Sequence, residues 1–224
     1  MLTQYAYLIG SLILGVAWLP IFLIRKDLRK EMLWMGLLSI PFAFSEFLFV
    51  PEYWNPPVLF DLINKIGFGI EDVLFCFFVS SIASVIYEFL TRKKLKKIIW
   101  NRKLHVTPYL ITIFIFVGLE FIFPAKTIYN AMLALLAAAT IIGVRRKDLI
   151  PQIIFGGAFF ALLYFLLFLV FNTFFPEFIT NYYTHKNLWN IYILKVPLEE
   201  IAFAFSAGTA WSSLYEYVKG YRLK

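Results

Sequence analysis

The alternation of apolar and polar stretches along the 224 residues predicts helices and little else. A helix that crosses a bilayer needs about 20 mostly apolar residues, because its backbone polar groups can be satisfied only by its own turns. Seven runs meet that length, at about 5–24, 32–50, 67–90, 107–123, 128–144, 149–175 and 196–218. Their ends carry punctuation. Arg25, Lys26, Arg29 and Lys30 follow the first run; Arg92, Lys93, Lys94, Lys96 and Lys97 follow the third; Arg145, Arg146 and Lys147 follow the fifth; Lys219 and Arg222 follow the seventh. By the bias of short basic loops toward the cytoplasm, these four clusters share the inner side. The N-terminus and the aromatic, polar loops at 51–66 and 176–195 then fall outside, and the C-terminus falls inside. The first run has no basic segment before it and reads as a span, not as a cleaved signal.

An internal repeat organises the pattern. Gly69–Glu88, GIEDVLFCFFVSSIASVIYE, returns without a gap in Pro197–Glu216, PLEEIAFAFSAGTAWSSLYE: Glu71 and Asp72 align with Glu199 and Glu200, Phe75 with Phe203, Phe77 with Phe205, and Tyr87-Glu88 with Tyr215-Glu216. Repeats of this kind define the fold before any single residue does. Runs one to three and five to seven have the same orientation, with run four as the linker that permits it, so the expected architecture is an all-α integral membrane bundle of seven transmembrane helices. Two parallel three-helix repeats, at 1–95 and 128–224, are joined by a linker with its own helix at 96–127, and a pseudo-twofold along the membrane normal relates them.

Composition agrees with this class: 61% of the residues are apolar and only 16% charged, too little polar surface to coat a soluble globule. The net charge of +7 sits in the loop clusters, so nucleic acid is not an expected partner and membrane lipid is. The one cysteine, Cys76, excludes an internal disulfide and a cysteine-based metal site. The two histidines, His105 and His185, lie at run edges, too isolated for a metal, and no metal or other cofactor is expected. No G-x-G-x-x-G, P-loop or G-x-S-x-G occurs, so no dinucleotide, ATP or serine nucleophile has a signature.

The chemistry lies in the acids. A carboxylate near the bilayer centre costs roughly 2.5–3.5 kcal/mol on insertion scales, so it is kept for a reason. Successive helix residues point about 100° apart, which lets one acid of each pair face the bundle interior while its neighbour addresses an adjacent helix. The symmetry would bring Glu71, Asp72, Glu199 and Glu200 to one central cavity, where crowding and burial keep at least one of them protonated. Glu46 in the second run and Asn172 in the sixth would complete the site, and Phe75 and Phe203 would supply ring faces able to stabilise a cation. The bland alternatives are acid pairs neutralised by hydrogen bonds or by Lys65 or Lys195, and an Asn172 that only bonds a neighbouring helix. Glu88 and Glu216 lie too far along their helices to join the site and are expected to pair with basic residues inside; Glu120 is expected to be interfacial.

The duplicated motif, Gly or Pro, an apolar residue, Glu, Glu or Asp, then Phe, and Tyr-Glu at the helix end, resembles the carotenoid (lycopene) cyclase domain family, the small membrane-integral type found as two subunits in some bacteria and fused in archaea and fungi. The resemblance covers about residues 1–95 and 128–220. The family's second-helix Trp-Asp is replaced by Ser45-Glu46 and Phe171-Asn172, and the PEYWNPP loop is similar to the family's Asn-Pro loop with its elements reordered. The resemblance implies a redox-neutral, proton-initiated cyclisation of the ψ-ends of a lycopene-like carotenoid, with Glu71 and Glu199 as acid or base and Asp72, Glu200 and Glu46 as cation stabilisers or proton partners. A homo-oligomer is compatible with the pattern. The rival expectation is a proton-coupled transporter of three-one-three plan, since membrane carboxylates also relay protons.

Overall fold

The computed structural model describes residues 3–98 and 106–223. It is all-α. Among the described residues the helices are α1 (Ala6–Ile24), α2 (Arg29–Ser39), α3 (Glu46–Phe49), α4 (Leu62–Ile66), α5 (Ile70–Thr91), α6 (Thr107–Ile122), α7 (Thr127–Arg145), α8 (Ile150–Phe174), α9 (Phe178–Tyr182) and α10 (Leu198–Lys219). Five segments are long and apolar enough to cross a membrane: Thr3–Ile24, Arg29–Phe49, Ile70–Thr91, Thr127–Arg145 and Lys147–Phe174. Two of the seven expected spans fall outside this set for different physical reasons. α6 has 16 residues, which at 1.5 Å per residue is about 24 Å, short of a hydrocarbon core of roughly 30 Å. α10 has 22 residues but carries Glu199, Glu200, Ser206, Thr209, Ser212, Ser213 and Glu216, and every one of these is buried among other helices.

α10 is the central element, packed against α8, α7 and α5. Its closest approach is to α8. A β-carbon placed on Gly208 would lie 2.8 Å from the Gly157 Cα and 2.9 Å from the Gly156 carbonyl oxygen, so the two backbones touch where both helices carry only hydrogen. Small residues at a membrane-helix interface act in this way, letting dispersion contacts and cross-helix hydrogen bonds replace the missing hydrophobic drive. The α2–α5 contact adds polar glue: Ser80 Oγ donates to Ser39 Oγ at 2.7 Å, Ser39 Oγ to the Cys76 carbonyl at 2.8 Å, and Trp18 Nε1 on α1 to Ser81 Oγ at 2.6 Å.

The second apolar run does not form one continuous α-helix. After Ser39 the chain tightens into a 3-10 segment, Ile40–Ser45, and returns to α geometry for α3. Pro41 is the cause: it has no N–H to give to the preceding turn and its ring crowds the carbonyl four residues back. Glu46 is the first residue after this change of pitch.

A short antiparallel ribbon, β1 (Leu95–Lys97) with β4 (Tyr221–Leu223), ties together the chain segments that leave α5 and α10. Beside it a tetrapeptide, Arg-Lys-Asp-Leu, occurs at 25–28 and again at 146–149. Arg25 pairs with Asp27 at 2.8 Å and donates to the carbonyls of Glu88 and Lys93; Arg146 pairs with Asp148 at 2.7 Å and donates to the carbonyl of Tyr221. Arg25 thus closes an orphan carbonyl in the last turn of α5 and Arg146 holds a carbonyl of β4, and each following leucine, Leu28 and Leu149, is fully buried. The hydrogen-bonded Arg25 guanidinium holds the Asp27 carboxyl below the usual carboxylate range. A second small ribbon, β2 (Tyr192–Ile193) with β3 (Val196–Pro197), feeds directly into α10.

The Gly208 contact gives a direct test. Gly208→Ala should lower stability by about 1–3 kcal/mol through overpacking against the α8 backbone. Gly118→Ala, on α6 with no neighbouring atom within 4 Å of its added methyl, should leave stability unchanged or slightly higher. Thermal unfolding of both variants in detergent measures the difference; equal midpoints would refute a tight α8–α10 seam.

Candidate active site

Two loops close one end of the bundle. Residues 50–58, after α3, and 175–195, around α9, clasp each other through the Asn55 amide to the Tyr182 carbonyl at 2.7 Å, the Thr184 amide to the Tyr53 carbonyl at 2.9 Å, Thr184 Oγ1 to the Pro51 carbonyl at 2.7 Å, and Asn187 Nδ2 to the Glu52 carbonyl at 2.6 Å. The clasp turns Tyr53, Trp54 and Tyr183 inward. Tyr53 is 5% exposed and Tyr183 6%, so these loop aromatics roof an internal chamber.

Beneath that roof lies a cavity of about 1480 Å³ of empty space, its open side included, lined largely by apolar and aromatic side chains such as Phe42, Phe75, Phe168, Phe171, Phe203 and Trp211. Three acids line it: Glu46, Asp72 and Glu200. All three are buried, at 8%, 2% and 5% exposure.

Each acid has a distinct set of partners. Glu200 accepts from three phenols: Tyr53 at 2.6 Å and Tyr183 at 2.8 Å on Oε1, and Tyr164 at 2.8 Å on Oε2. Asp72 accepts from the Tyr7 hydroxyl, and from the Gly69 amide at 2.6 Å as the third residue of α5, closing the helix start. Among the described residues Glu46 accepts only from Trp54 Nε1, at 2.7 Å on Oε1. No lysine or arginine among the described residues forms a salt bridge with these acids. Among the described residues the ion pairs are Arg25–Asp27 and Arg146–Asp148, and Lys65 donates instead to the Phe60 carbonyl.

The first acid of each pair has a different place. Glu71 Oε1 accepts the Leu59 amide at 2.9 Å, and Glu199 Oε1 accepts the Trp189 amide and the Tyr129 hydroxyl, the latter at 3.0 Å. Both anchor the loop that leads into their own helix, both keep a buried second oxygen without a partner, and neither lines the cavity. Gly69 allows the approach, since a β-carbon there would lie 2.6 Å from Glu71 Oε2. Asn172 is half-buried and away from the cavity, its amide 3.4 Å from the Lys195 carbonyl, whereas Phe75 and Phe203 line it.

Tyr7 and Tyr164 carried no signal in the sequence. A tyrosine in an apolar run reads as packing until the fold brings a carboxylate to its hydroxyl. One further expectation changes. Among the described residues the ion pairs named above do not include Glu88 or Glu216: both are fully buried, Glu88 takes a 2.6 Å bond from Gln152 Nε2, and they sit with Glu31, also buried, at the opposite end of α5 and α10 from the chamber. Glu120 is bonded to Asn130 Nδ2 at 2.8 Å and Thr127 Oγ1 at 3.1 Å, inside the α6–α7 corner. His105 lies outside the described residues, and His185 bonds Tyr192. Among the described residues no group of three or more His, Cys, Asp or Glu is placed to hold a metal.

A largely apolar, aromatic chamber with three carboxyls beneath a roof of loop aromatics suits proton transfer to an apolar substrate. Residues 126–218 match the family model of lycopene cyclase. The matched stretch runs from the start of α7 nearly to the end of α10, so it contains Tyr164, Tyr183, Glu199, Glu200 and Phe203, the second half's share of the chamber and its supports. No curated protein and no solved structure matches the chain at a significant level.

The loop anchors give the second prediction. Glu71→Ala and Glu199→Ala each strip a backbone amide of its acceptor and should cost about 1–3 kcal/mol of stability, whereas the glutamine variants, which keep an acceptor oxygen, should cost less. Unfolding in detergent separates the two series; alanine variants as stable as wild type would show that these acids do not hold the loops.

Proposed function

We propose that the chain is a membrane-integral carotenoid cyclase of the lycopene cyclase type, closing the ψ-ends of a linear carotenoid without redox change. The single observation that carries this reading is the placement of Glu46, Asp72 and Glu200 on one otherwise apolar, aromatic chamber. The lycopene cyclase match over 126–218 supports it from the sequence side.

The chemistry needs four things. A carboxylic acid must protonate the terminal trisubstituted alkene, giving a tertiary cation. Water must be kept away while the neighbouring double bond attacks and the six-membered ring closes. Negative charge and ring faces must hold the cation, and a base must take the final proton from the ring. The three carboxyls can supply acid, base and charge. Phe75, Phe203 and Trp211 present ring quadrupoles to the cation. The loop clasp limits access of water from that end.

The same reading assigns the architecture. Seven spans, with α6 and α10 among them, would form two three-helix repeats joined by α6, with the N-terminus and the clasped loops outside and the basic ribbon β1–β4 in the cytoplasm. The duplicated acid pairs, the paired loop anchors at Glu71 and Glu199 and the repeated Arg-Lys-Asp-Leu corners all support that duplication.

Expression in cells that accumulate lycopene tests the function. The red pigment should turn orange-yellow, and extraction should yield a product of unchanged mass with rings at one or both ends. Well-folded protein in the membrane with lycopene left intact would exclude cyclisation of this carotenoid, and is the outcome the transporter expectation gives.

A further inference from the structure

Under this cyclase reading, the three chamber acids do not share one job, and their hydrogen-bond partners divide the roles. Glu200 receives three hydroxyl donors, two on Oε1 and one on Oε2, from three different segments: Tyr53 in the first loop, Tyr164 on α8 and Tyr183 after α9. Donors that converge on both oxygens favour the anionic form of a carboxyl, and here they take the place of the absent cation. Asp72 is committed on both oxygens as well, to Tyr7 and to the Gly69 amide at the start of α5. Glu46 is the exception. Its Oε1 is fixed by Trp54, while among the described residues its Oε2 accepts no hydrogen bond, and its carboxyl lines the cavity. An oxygen without a donor, in a chamber without cations, is where a carboxyl proton resides at least cost.

We propose that Glu46 is the proton donor of the cyclisation and that Glu200, held by Tyr53, Tyr164 and Tyr183, is the standing anion that faces the carbocation. Glu46 transfers its proton to the terminal alkene, the new carbon–carbon bond closes the ring, and the Glu46 carboxylate recovers a proton from the ring carbon as the new double bond forms. One proton enters and one leaves, so the substrate is isomerised and Glu46 is regenerated. Glu200 changes neither protonation nor bonding. The three tyrosines are positioning residues: they act through Glu200 and do not touch the reacting atoms.

A cation probe separates the two acids without requiring turnover. N,N-dimethylfarnesylamine, protonated at neutral pH, joins a tertiary ammonium to an isoprenoid tail, and its binding to the purified protein in nanodiscs can be followed by quenching of tryptophan fluorescence, since Trp54 and Trp211 line the chamber. Glu200→Gln should weaken amine binding by roughly 100-fold, the scale expected when one partner of a buried charge pair is removed. Glu46→Gln should leave amine affinity at the wild-type value yet reduce lycopene cyclisation by at least roughly 100-fold. Tyr164→Phe and Tyr183→Phe should each weaken the amine and lower turnover, with the KM for lycopene unchanged; they keep the test alive if Glu200→Gln does not fold.

Wild-type amine affinity in Glu200→Gln, or in both tyrosine variants, would overturn the anion assignment, and substantial cyclisation by Glu46→Gln would overturn the donor assignment. Failure of the wild-type protein to cyclise lycopene would strike at the function itself. The amine pattern would still report whether Glu200 is the anion of the chamber.

Discussion

The structure depends on keeping carboxyl groups inside a bundle that has almost no cations to offer. Charge burial without a partner is prohibitive, and even a paired charge needs its remaining lone pairs satisfied. The protein meets this with phenols, indoles and backbone amides. Tyr7, Tyr53, Tyr129, Tyr164, Tyr183 and Trp54 each donate a hydrogen bond to a buried acid, and three helix-entry amides, those of Leu59, Gly69 and Trp189, do the same. A hydroxyl donor neutralises nothing, so the negative character of the site survives. That difference matters to the proposed chemistry: a lysine at the same place would satisfy the carboxylate and leave nothing for a cationic intermediate.

The need to bring these donors together accounts for features that look unrelated. The loop clasp over the chamber is held mostly by backbone amides and carbonyls, and its consequence is to deliver two tyrosines to one side of Glu200. The glycine contact between α8 and α10 brings their backbones together about two turns along α10 from Glu200, on the same helix pair that carries Tyr164 and its acceptor. The Pro41 break shifts the second helix into 3-10 pitch just before Glu46, which changes the direction in which that residue leaves the backbone. Packing, turn chemistry and helix irregularity converge on the same three carboxyls.

Much of this could be read from the chain and some could not. Runs of apolar residues gave the helices because period and length suffice when backbone polar groups must pair within one segment. The cost of a buried acid marked Glu46, Asp72 and Glu200 for the same reason. The order within each pair was another matter. Glu71 and Asp72 differ by one helix step, and which of them faces the cavity depends on the rotation of α5, set by contacts with α1, α2 and α8 that no local pattern records. The tyrosines escaped because hydroxyl partners lie far away in sequence, 147 positions in the case of Tyr53 and Glu200. The Arg-Lys-Asp-Leu duplication was legible but faint: it has an offset of 121 positions against 128 for the acid pairs, so an ungapped comparison passes over it.

Under the proposed duplication, that mismatch of offsets bears on how the two halves share one chamber. If both halves were strict copies, each second-helix acid and each third-helix acid would recur with the same partners, and the bundle would contain two half-sites. Instead Asp72 and Glu200 face one cavity with unequal escorts, one phenol and an amide against three phenols, while Glu46 lines the cavity and Asn172, at the comparable place in the other half, does not. Each additional carboxylate in a small, low-dielectric volume raises the cost of ionising the rest. An arrangement with one lightly held acid and one carboxyl held by three hydroxyls therefore costs less to bury than a symmetric set of four, and such unequal surroundings favour different protonation states at the same pH.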